Sequence, residues 1–211
     1  MLKGKFCKIL VLIIIISIAA NVGCSNKNED NKTIAYISSN EGSEYENTFK
    51  ELNLGLLFDF NFKLSRADKS WVNLWVEGYS NGKAIKPFPL IQLSQGLSPE
   101  QFEEGKIGFG IINSNKNPLF FLYSTGASVG PLAIDNNFFV DSGISSWDYA
   151  IRSETVGLEY GEEMVLAVYR QGKESLRTAY DYQDPESIKK IIDEDITVLL
   201  LKIKVTKKNE L

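Results

Sequence analysis

Residues 52–64, LNLGLLFDFNFKL, place an apolar side chain at every second position. The apolar set is Leu52, Leu54, Leu56, Phe58, Phe60, Phe62 and Leu64, and it alternates with Asn53, Gly55, Leu57, Asp59, Asn61 and Lys63. A period of two is the period of a β-strand, whereas an α-helix repeats every 3.6 residues. The stretch therefore predicts one long strand with a buried face and a mostly solvated face.

A second strand is predicted at residues 71–79, which end next to Asn81-Gly82. Asn-Gly tolerates the positive φ angles of a two-residue hairpin turn, so the chain should return antiparallel to this strand. Pro87 and Pro89 cannot donate backbone hydrogen bonds to a ladder. The returning segment is therefore expected at a sheet edge or with a bulge.

Further apolar runs predict the remaining elements. Strands are expected at residues 33–38, 107–111, 119–123, 147–151, 164–169 and 196–205, and the last is apolar on both faces before it alternates with Lys202 and Lys204. Gly108 and Gly110 indicate that another group packs closely over their strand. Residues 125–145 contain a strand at 138–140 at most, because Gly and Pro interrupt the pattern.

One convincing helix is predicted at residues 185–192, where Asp184 can act as the N-cap and Pro185 takes the first helical position. A single helical turn is also expected at residues 98–101. About nine short strands with a single real helix are typical of an all-β protein. We expect residues 33–211 to form one antiparallel two-sheet β-sandwich, immunoglobulin-like in broad architecture, with a short helix near the C-terminus.

The N-terminal residues have the pattern of an export signal. Lys3, Lys5 and Lys8 come before an apolar run at residues 9–20, and small residues follow it. The apolar run is shorter than the roughly 20 residues that a permanent membrane-spanning helix requires. The pattern predicts a secreted protein rather than an integral one.

Val22-Gly23-Cys24 extends this pattern and resembles the lipobox of bacterial lipoproteins. The resemblance covers residues 1–24 and implies cleavage before Cys24, whose thiol would carry a diacylglycerol. Residues 1–23 would then be the signal peptide and residues 24–32, which are polar after Cys24, a flexible tether. The protein is expected to face outside the cytoplasm on the cell membrane, held by its lipid. An uncleaved signal anchor, or an ordinary signal with an incidental cysteine, are the alternatives.

Composition excludes several classes of function. The formal charge is −4, and loss of three lysines with the signal would change it to −7, which argues against nucleic acid as a partner. Histidine is absent, which excludes His-dependent hydrolases and two-histidine zinc sites. Cys7 would leave with the signal and Cys24 would be lipidated, so no disulfide is expected. No cofactor and no metal are expected either.

The first candidate site is an aromatic row on the strand at residues 71–79. Val72, Leu74 and Val76 would face the core, so Trp71, Trp75 and Tyr79 would face away from it. Tryptophan and tyrosine dominate binding hot spots, and such a row could bind a wall glycan or a neighbouring envelope protein. The alternative is that these rings are buried against the second sheet or under residues 125–145.

Two other candidates depend on acidic residues. Paired carboxylates could hydrolyse a polysaccharide, and the available acids are Asp59, Glu77, Asp135, Asp141, Asp193, Glu194 and Asp195. No spacing singles out a pair. Calcium could bind at residues 135–141 or 193–195, although neither follows the EF-hand order and a plain turn explains both.

The sequence therefore predicts a non-catalytic binding or assembly module of the cell envelope. A carboxylate-dependent hydrolase of envelope polysaccharide is the second hypothesis, and it requires two acids facing each other across a cleft. A structural or inhibitory lipoprotein is the third, and it requires the three aromatic residues to be buried.

The lipobox resemblance predicts the covalent state of the mature chain. Intact-mass analysis of membrane-extracted protein should show a chain that begins at Cys24 with a diacylglycerol on its sulfur. A chain that begins elsewhere, or a free thiol at Cys24, would contradict the assignment.

Overall fold

A computed structural model of the chain describes residues 32–112, 118–134, 139–140 and 143–208. The predicted signal peptide and lipidated Cys24 lie outside these residues, as do all of the tether except Lys32 and the candidate acids Asp135 and Asp141. Neither helix in the described part of the chain has the length and hydropathy needed to span a bilayer.

The described residues form twelve strands, two α-helices and a short 3-10 turn at Ala67–Lys69. The strands are β1 (Thr33–Ser39), β2 (Gly55–Ser65), β3 (Ser70–Ser80), β4 (Lys83–Ala84), β5 (Ile91–Gly96), β6 (Phe102–Ile112), β7 (Leu119–Ser124), β8 (Ala127–Ala133), β9 (Ile144–Tyr149), β10 (Val156–Glu159), β11 (Glu163–Gly172) and β12 (Thr197–Lys207). The helices are α1 (Glu44–Glu51) and α2 (Pro185–Glu194).

The strands build two antiparallel six-stranded sheets, as the sequence predicted for a β-sandwich. The first sheet has the order β10-β1-β2-β6-β7-β8, and the second has the order β4-β3-β12-β11-β9, with β5 also paired to β3. Asn81 and Gly82 have φ angles of 49° and 78°, which confirms the predicted hairpin turn. β4 and β5 lie at the edge of the second sheet, where the two prolines between them were expected.

The main core lies between the sheets and is rich in phenylalanine. Phe58, Phe60 and Phe62 of β2 are almost completely buried. The Phe58 ring stacks on Phe109 of β6 at 6.4 Å, and Phe109 meets Phe120 of β7 edge to face at 5.3 Å. These cross-strand contacts explain why the alternation in β2 decides the fold, since a slip of one residue would turn every ring to the outside.

Helix α1 was not predicted from the sequence. Ser43 caps it by accepting a hydrogen bond from the Glu46 backbone. β2 therefore begins at Gly55 rather than at Leu52, which is exposed at the helix end. None of the helical residues is fully buried, so the sequence carries no strong apolar stripe at this position.

The outer face of β2 is also less solvated than predicted. Leu57 and Asp59 are both buried, because α1 and the rings of Phe121 and Tyr123 cover them. A Cβ atom on Gly110 would lie 2.0 Å from the Phe121 ring, and one on Gly108 would lie 2.4 Å from the Tyr123 ring. The predicted close packing over both glycines is therefore confirmed.

Two other local expectations were wrong. Residues 98–101 form no helical turn, because the backbone of Leu97 and Ser98 donates to Ser70 and Ala67 and leads directly into β6. Residues 125–145 contain the seven-residue strand β8, which was not predicted because Gly and Pro interrupt the apolar pattern. β8 lies at the edge of its sheet, where Gly130 and Pro131 are tolerated.

Helix α2 confirms the predicted C-terminal helix and covers part of the outer face of the second sheet. Asp184 caps it by accepting from the Glu186 and Ser187 backbone. A small second core lies beneath the helix and contains Val165, Val168, Ile191, Val198 and Leu200. This core explains why the first half of β12 is apolar on both faces.

Replacement of Phe60 by alanine should destabilise the protein strongly, because the ring is fully buried in the main core. We expect Phe60→Ala to lower the free energy of unfolding by about 3–5 kcal/mol. Phe102→Ala is the matched control, since Phe102 is 53% exposed, and it should cost less than about 1 kcal/mol. Urea unfolding of both variants measures the difference, and equal losses would contradict the described core.

Candidate functional site

The predicted aromatic row lies on the outer face of the second sheet. Val72, Leu74 and Val76 of β3 are buried in the main core, as expected from the alternation. Trp71, Trp75 and Tyr79 occupy the opposite face and are each partly exposed. They are not buried against the first sheet.

Tyr79 differs from the two tryptophans in its surroundings. Its ring packs edge to face on Phe88 at 5.6 Å and also against the small core under α2. Burial and the neighbouring Glu77 carboxylate raise the pKa of Tyr79 well above its usual range. Tyr79 therefore belongs to the covered half of the outer face, and Trp71 and Trp75 belong to the open half.

Glu77 links the two halves. Its carboxylate accepts hydrogen bonds from Trp75 Nε1 at 3.1 Å and from Tyr79 Oη at 2.9 Å. Lys202 Nζ of β12 lies 3.0 Å from the same carboxylate. The Glu77 side chain is only 12% exposed, so these contacts are shielded from bulk water and fix the orientation of the Trp75 indole.

Trp71 is positioned by a glycine on the neighbouring strand. It pairs with Gly96 of β5, and a Cβ atom on Gly96 would lie 2.7 Å from Trp71 Cδ2. A side chain at residue 96 would therefore displace the indole. The glycine leaves room for the ring to lie across the sheet edge, an arrangement known to protect edge glycines.

A row of polar side chains runs beside the tryptophans. Gln92 of β5 donates to Ser94, and Ser94 donates to Asn73 at 2.7 Å. Asn73 lies between Trp71 and Trp75 on the same face of β3. We call Trp71, Asn73, Trp75, Gln92 and Ser94 the aromatic strip.

Two of the candidate acids among the described residues, Asp59 and Glu77, lie on different sheets. Asp59 is fully buried in the first sheet, where Asn40, Lys106 and Tyr123 donate to it. Glu77 lies on the outer face of the other sheet. Their positions on opposite sheets give no pair of acids across a cleft, which the hydrolase hypothesis requires.

The three consecutive acids at residues 193–195 each have a different partner. Asp193 pairs with Lys189, Glu194 accepts from Tyr180, and Asp195 pairs with the buried Arg170. Within the described residues, no three Asp, Glu, Cys or His side chains are arranged to hold a metal ion. The other predicted calcium loop, at residues 135–141, lies mostly outside them.

The third tryptophan lies away from the aromatic strip. Trp147 of β9 is 52% exposed and lines a cavity of about 820 Å³ with Glu46 and Arg152. From the sequence, this tryptophan was expected only to lie in a strand. The cavity joins β9 to the turn before α1, and that contact between distant segments leaves no signal in a single sequence.

Comparisons with protein-family models, with curated proteins and with solved structures find no match to this chain.

Glu77 should contribute more to stability than an exposed acid on the same sheet. Glu77→Gln removes the charge that faces Lys202 and one acceptor, and we expect a loss of about 1–3 kcal/mol in the free energy of unfolding. Glu163→Gln is the matched control, because Glu163 forms an exposed pair with Lys204, and such pairs contribute about 0–1 kcal/mol.

Urea unfolding measures the loss of unfolding free energy in both variants. Near-ultraviolet circular dichroism reports the environment of the Trp75 indole. The tryptophan bands should change in Glu77→Gln and stay unchanged in Glu163→Gln. Equal losses with unchanged bands in both variants would contradict the role assigned to Glu77.

Proposed function

We propose that the protein is a lipoprotein of the cell envelope whose β-sandwich is a non-catalytic binding module. In this proposal Cys24 carries the lipid, the sandwich stands outside the cytoplasm, and the aromatic strip contacts a glycan of the wall. The location in the cell envelope is supported by the residues before Cys24, and the binding role is supported by the geometry of the strip.

The single observation that carries the binding role is the outward position of Trp71 and Trp75. Both rings are partly exposed on a strand whose other face is buried. They are four positions apart, which corresponds to about 13 Å along a strand. Two indoles at this spacing can contact successive parts of an extended chain.

The surroundings of the rings suit a carbohydrate. Tryptophan presents an apolar ring face that can lie against the C–H groups of a sugar. Asn73, Gln92 and Ser94 place amide and hydroxyl groups next to those rings, where they can bind sugar hydroxyls. The strip runs along β3 and β5, which are paired on the outer face of the second sheet.

The arrangement also favours binding over catalysis. The acid nearest to the strip, Glu77, is held by Trp75, Tyr79 and Lys202. These three contacts hold the carboxylate against the sheet, so it is not free to approach a ligand on the strip. A neighbouring envelope protein is the other partner that an aromatic surface fits. Capture on wall and on membrane fractions separates these two partners.

Removal of both indoles should weaken binding to the wall. The full chain in non-ionic detergent is incubated with purified wall and, separately, with membrane fraction. Capture of Trp71→Ala/Trp75→Ala on wall should fall at least about tenfold, because truncation of an aromatic hot spot typically costs 2 kcal/mol or more.

Trp147→Ala is the matched control, since it removes an exposed tryptophan from another strand. It should be captured like the wild type. Equal capture of all three proteins on wall would contradict the glycan role. Capture on membrane fraction alone, abolished by protease treatment of that fraction, would replace the glycan with a protein partner.

A further inference from the structure

A second cavity opens on the outer face of the second sheet, away from the aromatic strip. It has a volume of about 920 Å³ and lies between β9 and the segment at residues 175–182. That segment has no regular secondary structure and crosses the sheet before α2 begins. The volume is in the range of sites that hold small organic ligands.

Three of the four arginines in the chain line this cavity. They are Arg152 after β9, Arg170 in β11 and Arg177 in the crossing segment, and the fourth is Arg66. The chain contains many more lysines than arginines, yet no lysine lines the cavity. Arginine presents a planar set of N–H donors that matches the oxygens of phosphate and carboxylate groups.

Arg170 is built into the floor of the cavity. It is only 2% exposed, and its Nε atom donates to Asp195 at 2.6 Å. Nη1 donates to the Arg177 carbonyl at 2.9 Å, and the guanidinium lies 4.8 Å from the Tyr180 ring centroid. Nη2 is shielded from solvent and makes no hydrogen bond of good geometry with the described residues, and the Tyr182 hydroxyl also interacts with the guanidinium. A buried N–H donor without a full acceptor is unfavourable, and a small turn of the side chain toward the cavity would let a ligand oxygen satisfy it.

The charges around the cavity favour an anion. Arg152 and Arg177 are exposed at its edges, and Ser175 and Thr178 add hydroxyl donors. The carboxylates that line it are already engaged. Asp148 accepts from Ser146 and Tyr182, and Asp181 accepts from the Gln183 backbone. Asp195 balances the charge of Arg170, whereas Arg152 and Arg177 form no ion pair among the described residues and are the cations left for an anion.

We propose that this cavity binds a small phosphorylated molecule, with its phosphate group between the guanidinium groups of Arg152, Arg170 and Arg177. Two exposed arginines and a buried one can surround a tetrahedral dianion on several sides. The remaining volume is available to the organic part of the ligand. This site is independent of the aromatic strip, so either proposal can fail without the other.

Inorganic phosphate is the probe, because it carries the group that the arginines would recognise. The full chain in non-ionic detergent is melted at increasing phosphate concentration, with chloride keeping the ionic strength constant. A ligand that binds only the folded state raises the melting temperature in a saturable manner. We expect this saturable rise in the wild type at millimolar phosphate.

The double variant Arg152→Gln/Arg177→Gln should lose at least about tenfold in apparent phosphate affinity, since charged pairs to phosphate are strong contacts. Both side chains are exposed, so the variant should fold. Arg66→Gln removes the same kind of charge elsewhere and should behave like the wild type. A wild type without a saturable rise would overturn the proposal. The same rise in all three proteins would also overturn it, as a general salt effect.

Discussion

Strand β3 can bury only one of its two faces, and its pairing with β12 decides which one. The two strands pair over their full length, from Ser70 opposite Lys207 to Ser80 opposite Thr197. In this register Val72, Leu74 and Val76 enter the core, and both β3 tryptophans turn outward. Everything proposed for the aromatic strip depends on that register, since a slip of one residue would exchange the faces.

The outer face of the second sheet is divided by what covers it. Val198 and Leu200 of β12 are apolar on this face, and α2 together with Tyr79 removes them from water. Further along β12 the same face carries Lys202 and Lys204, whose charged groups do not have to be shielded from water. The strip beside these lysines stays open as a consequence, and Glu77 marks the boundary between the two halves.

Period-two and helical patterns predicted the sandwich, β2, β3, α2 and the outward face of β3, because each depends on neighbours within one segment. Helix α1 was missed although Ser43 and Glu46 have the spacing of a capping box, because its eight residues carry no strong apolar stripe. Contacts between distant segments could not be predicted from the sequence either. Lys202 reaches Glu77 only through the β3–β12 register, and Arg152 and Arg170 line one cavity only after β9 pairs with β11.

Fluorescence quenching tests the central claim, that the open tryptophans form the contact surface, most directly. Trp147→Phe leaves Trp71 and Trp75 as the only emitting tryptophans, since the chain has three. In this variant acrylamide should quench the emission of partly exposed indoles, and soluble wall-glycan fragments should reduce that quenching in a saturable manner. Quenching that the fragments leave unchanged, or emission that acrylamide cannot reach, would contradict the account.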